Sequence, residues 1–319
     1  MLAITPEGTT SYALKDGDCV LALARCGAIG QVFYNDAVSF ADPGEVPGWL
    51  VAFKSQPGTS LVMAVHDYFA ICPSQFLLND AQRFCRVPEM TECQRCLPAN
   101  GNEFATLFVE RDMPSWRSRW LAALDAADEI RCFSNSSREL LLRAYPGLCK
   151  AAISVVPHRL PPQIRRPQVN IGAPLHIGVV GAIGFHKGAG VIAGLADVIS
   201  ARGLPVKITV IGTLEAAYNP SVVHVTGRYE KDDLALLIER SSANVFLLPS
   251  ICPETFSYVT QEMIDLKLPL VCFDFGAPAE RVGTYARGKV LPLTDASLLL
   301  DSLIRFHADM RDVQQPTEL

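Results

Sequence analysis

A glycine-rich segment that ends in a lysine and a glycine is the first feature that could do chemistry. It spans residues 178–188, with Lys187 next to last. Glycines let the backbone approach a phosphate, a helix start after such a turn offers free N–H groups, and Lys187 adds a full positive charge. The segment therefore indicates a phosphate site, although such turns also serve plain strand-to-helix packing.

Two carboxylates eight residues apart form the second feature. Glu254 follows an apolar run at residues 245–248, and Glu262 would lie about two turns into the helix expected over residues 256–266. Both would face the crevice where open α/β sheets bind ligands, and carboxylates there can accept paired hydrogen bonds from sugar hydroxyls. The alternative is that Glu254 only complements a helix dipole and Glu262 only lies on a solvated face.

His66 follows an apolar strand pattern at residues 61–65 in the first half of the chain. A histidine at a strand end can take part in proton transfer or contact a substrate. The alternative is a hydrogen-bonded histidine without a chemical role.

Four of the ten cysteines cluster in sequence. Cys93 and Cys96 have the spacing of a zinc knuckle, and Cys72 and Cys85 would complete a tetrahedral thiolate site. A structural zinc ion is one interpretation, and reduced thiols or one incidental disulfide is the other. Neither interpretation assigns catalysis to these residues.

Trp116 and Trp120 lie four residues apart on an expected helix, beside arginines. Such a face can contact lipid headgroups or a lipid-linked acceptor. Aromatic residues at this spacing more often pack in the interior.

The elements that must position these residues alternate regularly in the second half of the chain. Strand, turn, helix and strand recur there, as in a doubly wound parallel sheet. The expected strands are residues 175–180, 206–211, 222–225, 245–248 and 268–273, with helices ending near 201 and spanning 231–240 and 256–266.

The first half is a less regular α/β pattern with a Cys-rich insertion. Its expected strands are residues 19–24, 32–34, 61–65, 129–133 and 152–156, its helices are 115–127 and 136–145, and residues 72–104 are irregular. Proline-rich residues 157–173 predict a linker. We therefore predict an N-terminal acceptor-side domain over residues 1–156 and a C-terminal nucleotide-sugar-binding domain over residues 174–319.

Composition excludes several classes of protein. The 319 residues carry a net charge of −5, so nucleic acid is not an expected partner. No apolar stretch reaches the roughly 18 residues needed to cross a bilayer, and no export signal begins the chain. These observations predict a cytoplasmic protein, with contact to the inner face of the membrane left open.

Taken together, the motifs are more specific than each alone. The turn ending in Lys187-Gly188, the pair Pro249-Ser250 and the spacing of Glu254 and Glu262 resemble the C-terminal half of family 4 glycosyltransferases, and the likeness covers nearly all of residues 175–292. The resemblance implies the GT-B fold, in which two Rossmann-like domains face a cleft. It also implies metal-independent, retaining transfer from a nucleotide-diphosphate sugar, without a further cofactor.

The resemblance implies a role for each candidate residue. The turn at Gly184 and Lys187 would bind the donor diphosphate, Glu254 the transferred sugar, and Glu262 the ribose. Backbone N–H groups of Phe256 and Ser257 would face the donor, and His66 would face the transferred sugar. No metal ligand is expected among these residues.

Two departures leave alternatives open. Ala182 stands where many members of the family have an arginine, for which Arg228 is the candidate replacement. The shortened first half also fits a truncated or excised module. The leading hypothesis is an enzyme of bacterial surface polysaccharide synthesis with a glycan or lipid-linked acceptor. The alternatives are a catalytically silent nucleotide-sugar-binding or scaffold module, and a sugar-nucleotide epimerase or hydrolase.

Overall fold

Two parallel β-sheets organise the chain. The computed structural model describes residues 2–5, 8–11, 17–38, 40–102, 104–148, 152–161 and 165–314, with only the backbone for 2–5, 8–11, 17, 104, 152, 313 and 314. The first unit comprises residues 1–133 and 137–156, and the second comprises 134–136 and 157–319. The predicted α/β class is confirmed, whereas the domain limits, the linker and the facing cleft stay predictions.

The first unit contains a four-stranded parallel sheet in the order β3-β4-β5-β6. In chain order its elements are β1 (Leu2–Thr5), β2 (Gly8–Ser11), α1 (Gly17–Arg25), β3 (Gln31–Tyr34), α2 (Val46–Lys54), β4 (Ser60–Ala64), α3 (Met90–Ala99), α4 (Met113–Ala126), β5 (Glu129–Cys132), α5 (Asn135–Ala144) and β6 (Ala152–Val155). β1 and β2 form a separate antiparallel pair. That the segment between β4 and α4 is an insertion stays a prediction.

One predicted strand of this unit is wrong. Residues 19–24 belong to α1, where Leu21 and Ala24 are buried with Phe53 of α2. A spacing of three residues places Leu21 and Ala24 on one helix face. A short apolar run fits a strand or a buried helix equally well, so its periodicity could not decide between them.

Trp116 and Trp120 form the centre of the first core. Both are fully buried, and Trp116 Nε1 donates a hydrogen bond of 2.9 Å to the carbonyl oxygen of Phe69. Their rings pack on each other at 5.9 Å between centroids. Because burial removes both side chains from solvent, the structure supports packing, and the alternative of a lipid-contacting Trp face is wrong.

The second unit contains a six-stranded parallel sheet in the order β12-β11-β10-β7-β8-β9. Its elements are β7 (His176–Ile183), α6 (Ala189–Ala201), β8 (Lys207–Leu214), β9 (Val223–Val225), α7 (Leu234–Ser241), β10 (Val245–Leu248), α8 (Tyr258–Asp265), β11 (Leu270–Phe273), α9 (Gly276–Val282), β12 (Gly288–Leu291) and α10 (Ala296–Gln314). All five strands predicted in this half are present, with ends shifted by up to three residues. β12 was not predicted.

The strand order reverses beside β7. From β7 the chain builds outward through β8 and β9, and then returns to add β10 on the other side of β7. Open α/β sheets bind ligands at the carboxyl ends of the strands at such a switch point. The segments after β7 and β10 are therefore where this unit is expected to hold a ligand.

None of the described helices combines the length and the apolar character needed to span a bilayer.

Replacing Trp116 with alanine is expected to lower the free energy of unfolding by about 3–5 kcal/mol, because a large cavity opens in the first core. Urea unfolding followed by circular dichroism measures this change. The matched control is Leu298→Ala on α10, where the side chain is 54% exposed and the loss should be small. Equal effects of the two substitutions would contradict the central role of Trp116.

Candidate active site

The segments that follow β7 and β10 lie against each other at the switch point. The N–H of Ile251 donates to the carbonyl oxygen of His186 at 3.0 Å. Gly188 has a φ of +87°, and a Cβ built there would lie 1.9 Å from the carbonyl oxygen of Pro249. Only glycine fits this approach, so the turn ending at residue 188 is fixed against the segment that carries Glu254.

The glycine-rich turn uses part of its own hydrogen-bonding capacity. Gly188 N–H donates to the carbonyl oxygen of Phe185 at 2.9 Å, and Ala189 N–H donates to that of Gly184 at 3.1 Å. The expectation of free N–H groups at this helix start is therefore wrong for these two residues. Gly184 is buried, and a Cβ built there would lie 2.7 Å from Oε2 of Glu215.

Lys187 and Glu254 form an ion pair across the two segments. Lys187 Nζ lies 2.8 Å from Glu254 Oε2, and the side chain of Glu254 is only 14% exposed. The hydroxyl of Ser250 donates to Glu254 Oε1 at 2.5 Å, and the Ser257 hydroxyl also bonds the carboxylate. The structure thus brings together two of the candidate residues that are 67 positions apart in sequence.

These contacts keep Glu254 ionised. Burial on its own raises the pKa of this carboxyl, but the Lys187 charge and the hydrogen bonds from Lys187, Ser250 and Ser257 outweigh it, so that the pKa is lowered from 4.5. A desolvated carboxylate next to an ammonium group can bind sugar hydroxyls while the ammonium contacts a phosphate. The arrangement fits an uncharged sugar linked to a diphosphate.

A third segment, between β11 and α9, fixes the backbone of Glu254. Ala277 N–H donates to the Glu254 carbonyl oxygen at 2.8 Å. Gly276 has a φ of +72°, and a Cβ there would lie 2.6 Å from the Glu254 nitrogen. The position of Glu254 therefore depends on segments that follow three neighbouring strands.

Glu262 lies on α8, about one turn in rather than the predicted two, because the helix starts at Tyr258. Its Oε1 lies 3.2 Å from Nζ of Lys231, and its side chain is 11% exposed. Burial, and then the charge of Glu262, raise the pKa of Tyr229 to about 12. Glu262 therefore has its own cationic partner, which is separate from the pair of Lys187 and Glu254.

Phe256 and Ser257 shape the start of α8. Ser257 caps the helix, with its hydroxyl accepting from the Thr260 N–H at 3.4 Å. Phe256 is buried between Arg281, whose guanidinium lies 4.5 Å above its ring, and His158, at 5.0 Å between centroids. These contacts fix the end of the segment after β10, where α8 begins.

Arg228 is exposed in the segment after β9, and it forms no ion pair with any residue that the structure describes. Its role as the replacement for the arginine absent at Ala182 stays a prediction.

His66 is exposed after β4 in the first unit, with its ring edge-on to Phe133 at 6.1 Å. The neighbouring Asp67 accepts the Phe69 N–H at 2.8 Å. Burial is the main cause that raises the pKa of Asp67 to about 7, with a smaller contribution from the charge of Asp36. Asp67 is therefore a second titratable group at this strand end, and the sequence analysis did not single it out.

Ser250 and Lys231 were also not assigned from the sequence. Ser250 belongs to the Pro-Ser pair, and a hydroxyl four residues before a carboxylate was a usable signal. Lys231 lies 31 positions from Glu262, and no local pattern connects them. In the described parts of the chain, no three His, Cys, Asp or Glu side chains are arranged to hold a metal ion.

Comparison with known proteins identifies the second unit. Residues 163–317 match the family model of glycosyl transferases group 1. The match falls on the second unit and covers just under half of the chain, and it agrees with the predicted glycosyltransferase. The finer assignment to family 4 stays a prediction. A comparison with curated protein sequences finds no match.

Solved structures of other glycosyltransferases share the fold. Sucrose-phosphate synthase from Thermosynechococcus elongatus is similar with a TM-score of 0.58 and 17% identity, over 97% of this chain and 73% of that one. Anabaena HepE in complex with UDP-glucose has a TM-score of 0.60 and 14% identity, over 92% and 73%. The pneumococcal O-GlcNAc transferase GtfA in complex with UDP and GlcNAc has a TM-score of 0.53 and 11% identity, over 93% and 53%. At these identities the likeness shows the fold alone, which is GT-B.

Replacing Lys187 with methionine is expected to lower the free energy of unfolding by about 1–3 kcal/mol at pH 7, because a largely buried carboxylate loses its cation. The lowered pKa of Glu254 contributes stability above 4.5, and this contribution is lost as the pH falls through the lowered value. The difference between variant and wild type should therefore shrink in acid. Urea titrations at several pH values test this, and Lys289→Met, which changes an exposed residue of β12, is the control. A difference that does not change with pH would contradict the ion pair's role.

Proposed function

We propose that this protein is a retaining glycosyltransferase that uses a nucleotide-diphosphate sugar. The observation that carries the proposal is the ion pair of Lys187 and Glu254 at the switch point of the second sheet. It presents an ammonium and a desolvated carboxylate side by side, where a sugar diphosphate offers an anion next to hydroxyl groups. The UDP-glucose bound by HepE belongs to this class of ligand.

Each of four candidate site residues in the second unit has a proposed task. Lys187 binds the diphosphate and stabilises it as it departs, because a fixed cation acts on charge that develops in the transition state. The turn at Gly184 lets the phosphates approach the backbone. Glu254 accepts hydrogen bonds from the transferred sugar, while Glu262 accepts them from the ribose. Their serine and lysine partners hold these carboxylates ready before the donor arrives.

The resemblance to family 4 glycosyltransferases supports the remaining assignments. The N–H groups of Phe256 and Ser257 face the donor, and Arg228 supports the diphosphate. His66 contacts the transferred sugar. No metal-binding Asp-x-Asp takes part in the transfer. The acceptor is a glycan or a lipid-linked glycan of a bacterial surface polysaccharide, made at the cytoplasmic side of the membrane.

Donor binding is the first test of this proposal. Calorimetric titration with UDP-, GDP-, ADP- and dTDP-sugars should give micromolar binding for one nucleotide class. Lys187→Met should weaken it by roughly tenfold or more, because it removes a charge-assisted hydrogen bond to phosphate. Glu262→Gln should weaken binding of the nucleoside diphosphate itself, and Lys289→Met should bind as wild type. Wild-type protein that binds none of these donors would contradict an active transferase and favour a silent scaffold.

Transfer is the second test, with the donor identified in the first. Proton NMR of the early product should show the anomeric configuration of the donor, and Glu254→Gln should lower kcat by about 10²–10³ because a desolvated contact to the reacting sugar is weakened. His66→Ala should lower kcat with little effect on the Kd of the donor. An inverted product contradicts retention. Conversion of the donor without an acceptor, at a rate equal to that with one, would favour the epimerase or hydrolase.

A further inference from the structure

The four clustered cysteines line one cavity in the first unit. The cavity has a volume of about 260 Å³, and its wall includes Cys72, Cys85, Cys93, Cys96 and Arg117. All four thiols are free, and none belongs to a disulfide. They come from three separate stretches of chain. Cys72 follows β4, Cys85 comes directly after the pairing of Leu78 with Phe84, and the other two lie on α3.

Backbone N–H groups point at three of the four sulfur atoms. The N–H of Ser74 bonds Cys72, that of Val87 bonds Cys85, and that of Asp80 bonds Cys96. Val87 adopts a φ of 52°, which a β-branched residue rarely does. A strained residue that aims its N–H at a sulfur suggests a function for that sulfur.

Arg117 brings a buried positive charge to the same cavity. It is only 8% exposed, and its Nε and Nη1 donate to the carbonyl oxygens of Ile71 at 2.5 Å and Ala144 at 2.9 Å. Among the described residues no ion pair involves Arg117, and the two carboxylates on the cavity wall, Asp80 and Glu92, are exposed. A buried guanidinium without a counter-charge is costly, so an anionic group in the cavity would offset that cost.

We propose that Cys72, Cys85, Cys93 and Cys96 bind one Zn²⁺ ion as four thiolates. The resulting centre carries a net charge of −2, because four protons leave as the ion binds, and Arg117 lies beside it as counter-charge. The site is structural, since four protein ligands leave no open position for a substrate. It fastens the segment between β4 and α4, which contains no strand and only one α-helix in its described part, to the wall of the first core.

The present spacing of the thiols is wider than in the ion-bound centre. No three of them stand at ligating distance in the structure as described. Neutral thiols do not attract one another, whereas a divalent ion replaces their protons and draws the sulfur atoms to about 2.3 Å from itself. The cavity gives the four side chains room to turn inward. The cavity must therefore close around the ion when the ion binds.

Metal content tests the proposal directly. Wild-type protein from a zinc-supplemented culture should contain roughly one zinc ion per chain by mass spectrometry of the metal. Cys93→Ser should reduce this to less than about a tenth, because one thiolate of four is lost. Cys26→Ser, which changes an exposed cysteine outside the cluster, should keep the full amount. Wild-type protein with less than a tenth of an ion per chain, or with a disulfide among the four, would overturn the proposal.

A second measurement does not depend on whether a variant folds. Wild-type protein loaded with Co²⁺ should show thiolate-to-cobalt absorption and the visible bands of a tetrahedral site. Removing the metal with a chelator should lower the Tm, and Zn²⁺ should restore it while Mg²⁺ should not. Cobalt bands of an octahedral oxygen site, or a Tm that ignores chelation, would overturn the proposal. Both readouts are independent of glycosyl transfer.

Discussion

The ion pair between Lys187 and Glu254 is the constraint on which the chemistry proposed for the second unit depends. A carboxylate with so little exposure would normally be protonated or displaced to solvent, because desolvation disfavours its charge. Here an ammonium and two serine hydroxyls satisfy it, and its lowered pKa follows from them. The same contacts that stabilise the fold therefore keep the carboxylate in the ionised state that the proposed sugar recognition needs.

The pair exists because the sheet is wound in two directions. β7 and β10 are neighbours in the sheet, although α6, β8, β9 and α7 lie between them in the chain. The segments that follow the two strands therefore meet. Gly188 permits the contact with Pro249, and Gly276 permits the contact with Glu254 from the third strand. Gly188, which belongs to the predicted phosphate-binding segment, thus has a structural task as well. The two tasks are compatible, since both require backbone without a side chain.

Each unit holds a cation that is at least partly removed from solvent, but the two cations are balanced differently. In the second unit Lys187 has a carboxylate within ion-pair distance. In the first unit Arg117 contacts backbone carbonyl oxygens only, and the aromatic ring of Tyr145 lies 5.4 Å from its guanidinium carbon. Partial charges of this kind compensate a buried cation less well than a full negative charge. The proposed zinc centre would place such a charge on the same cavity wall.

Local sequence determined the second sheet well, because each buried strand of a parallel sheet is a short apolar run with turn residues around it. It also singled out Lys187, Glu254 and Glu262, since glycine-rich turns and carboxylates after strands stand out without knowledge of contacts. Local sequence gave the wrong element for residues 19–24, because a helix and a strand would bury the same few side chains there. It could not decide whether Trp116 and Trp120 face lipid or core, because the partners of a helix face lie elsewhere in the chain.

Only the tertiary structure decided which charges meet. Lys231 reaches Glu262, Ser257 reaches Glu254, and Arg117 reaches the cysteine cavity through distances that no spacing rule encodes. The physical reason is that secondary structure depends on neighbours a few residues apart, whereas ion pairs and desolvation depend on strand order and on the packing of distant segments. The sequence by itself thus determined the class of protein and the residue types of its site. The tertiary structure decided their partners, their exposure and their charge.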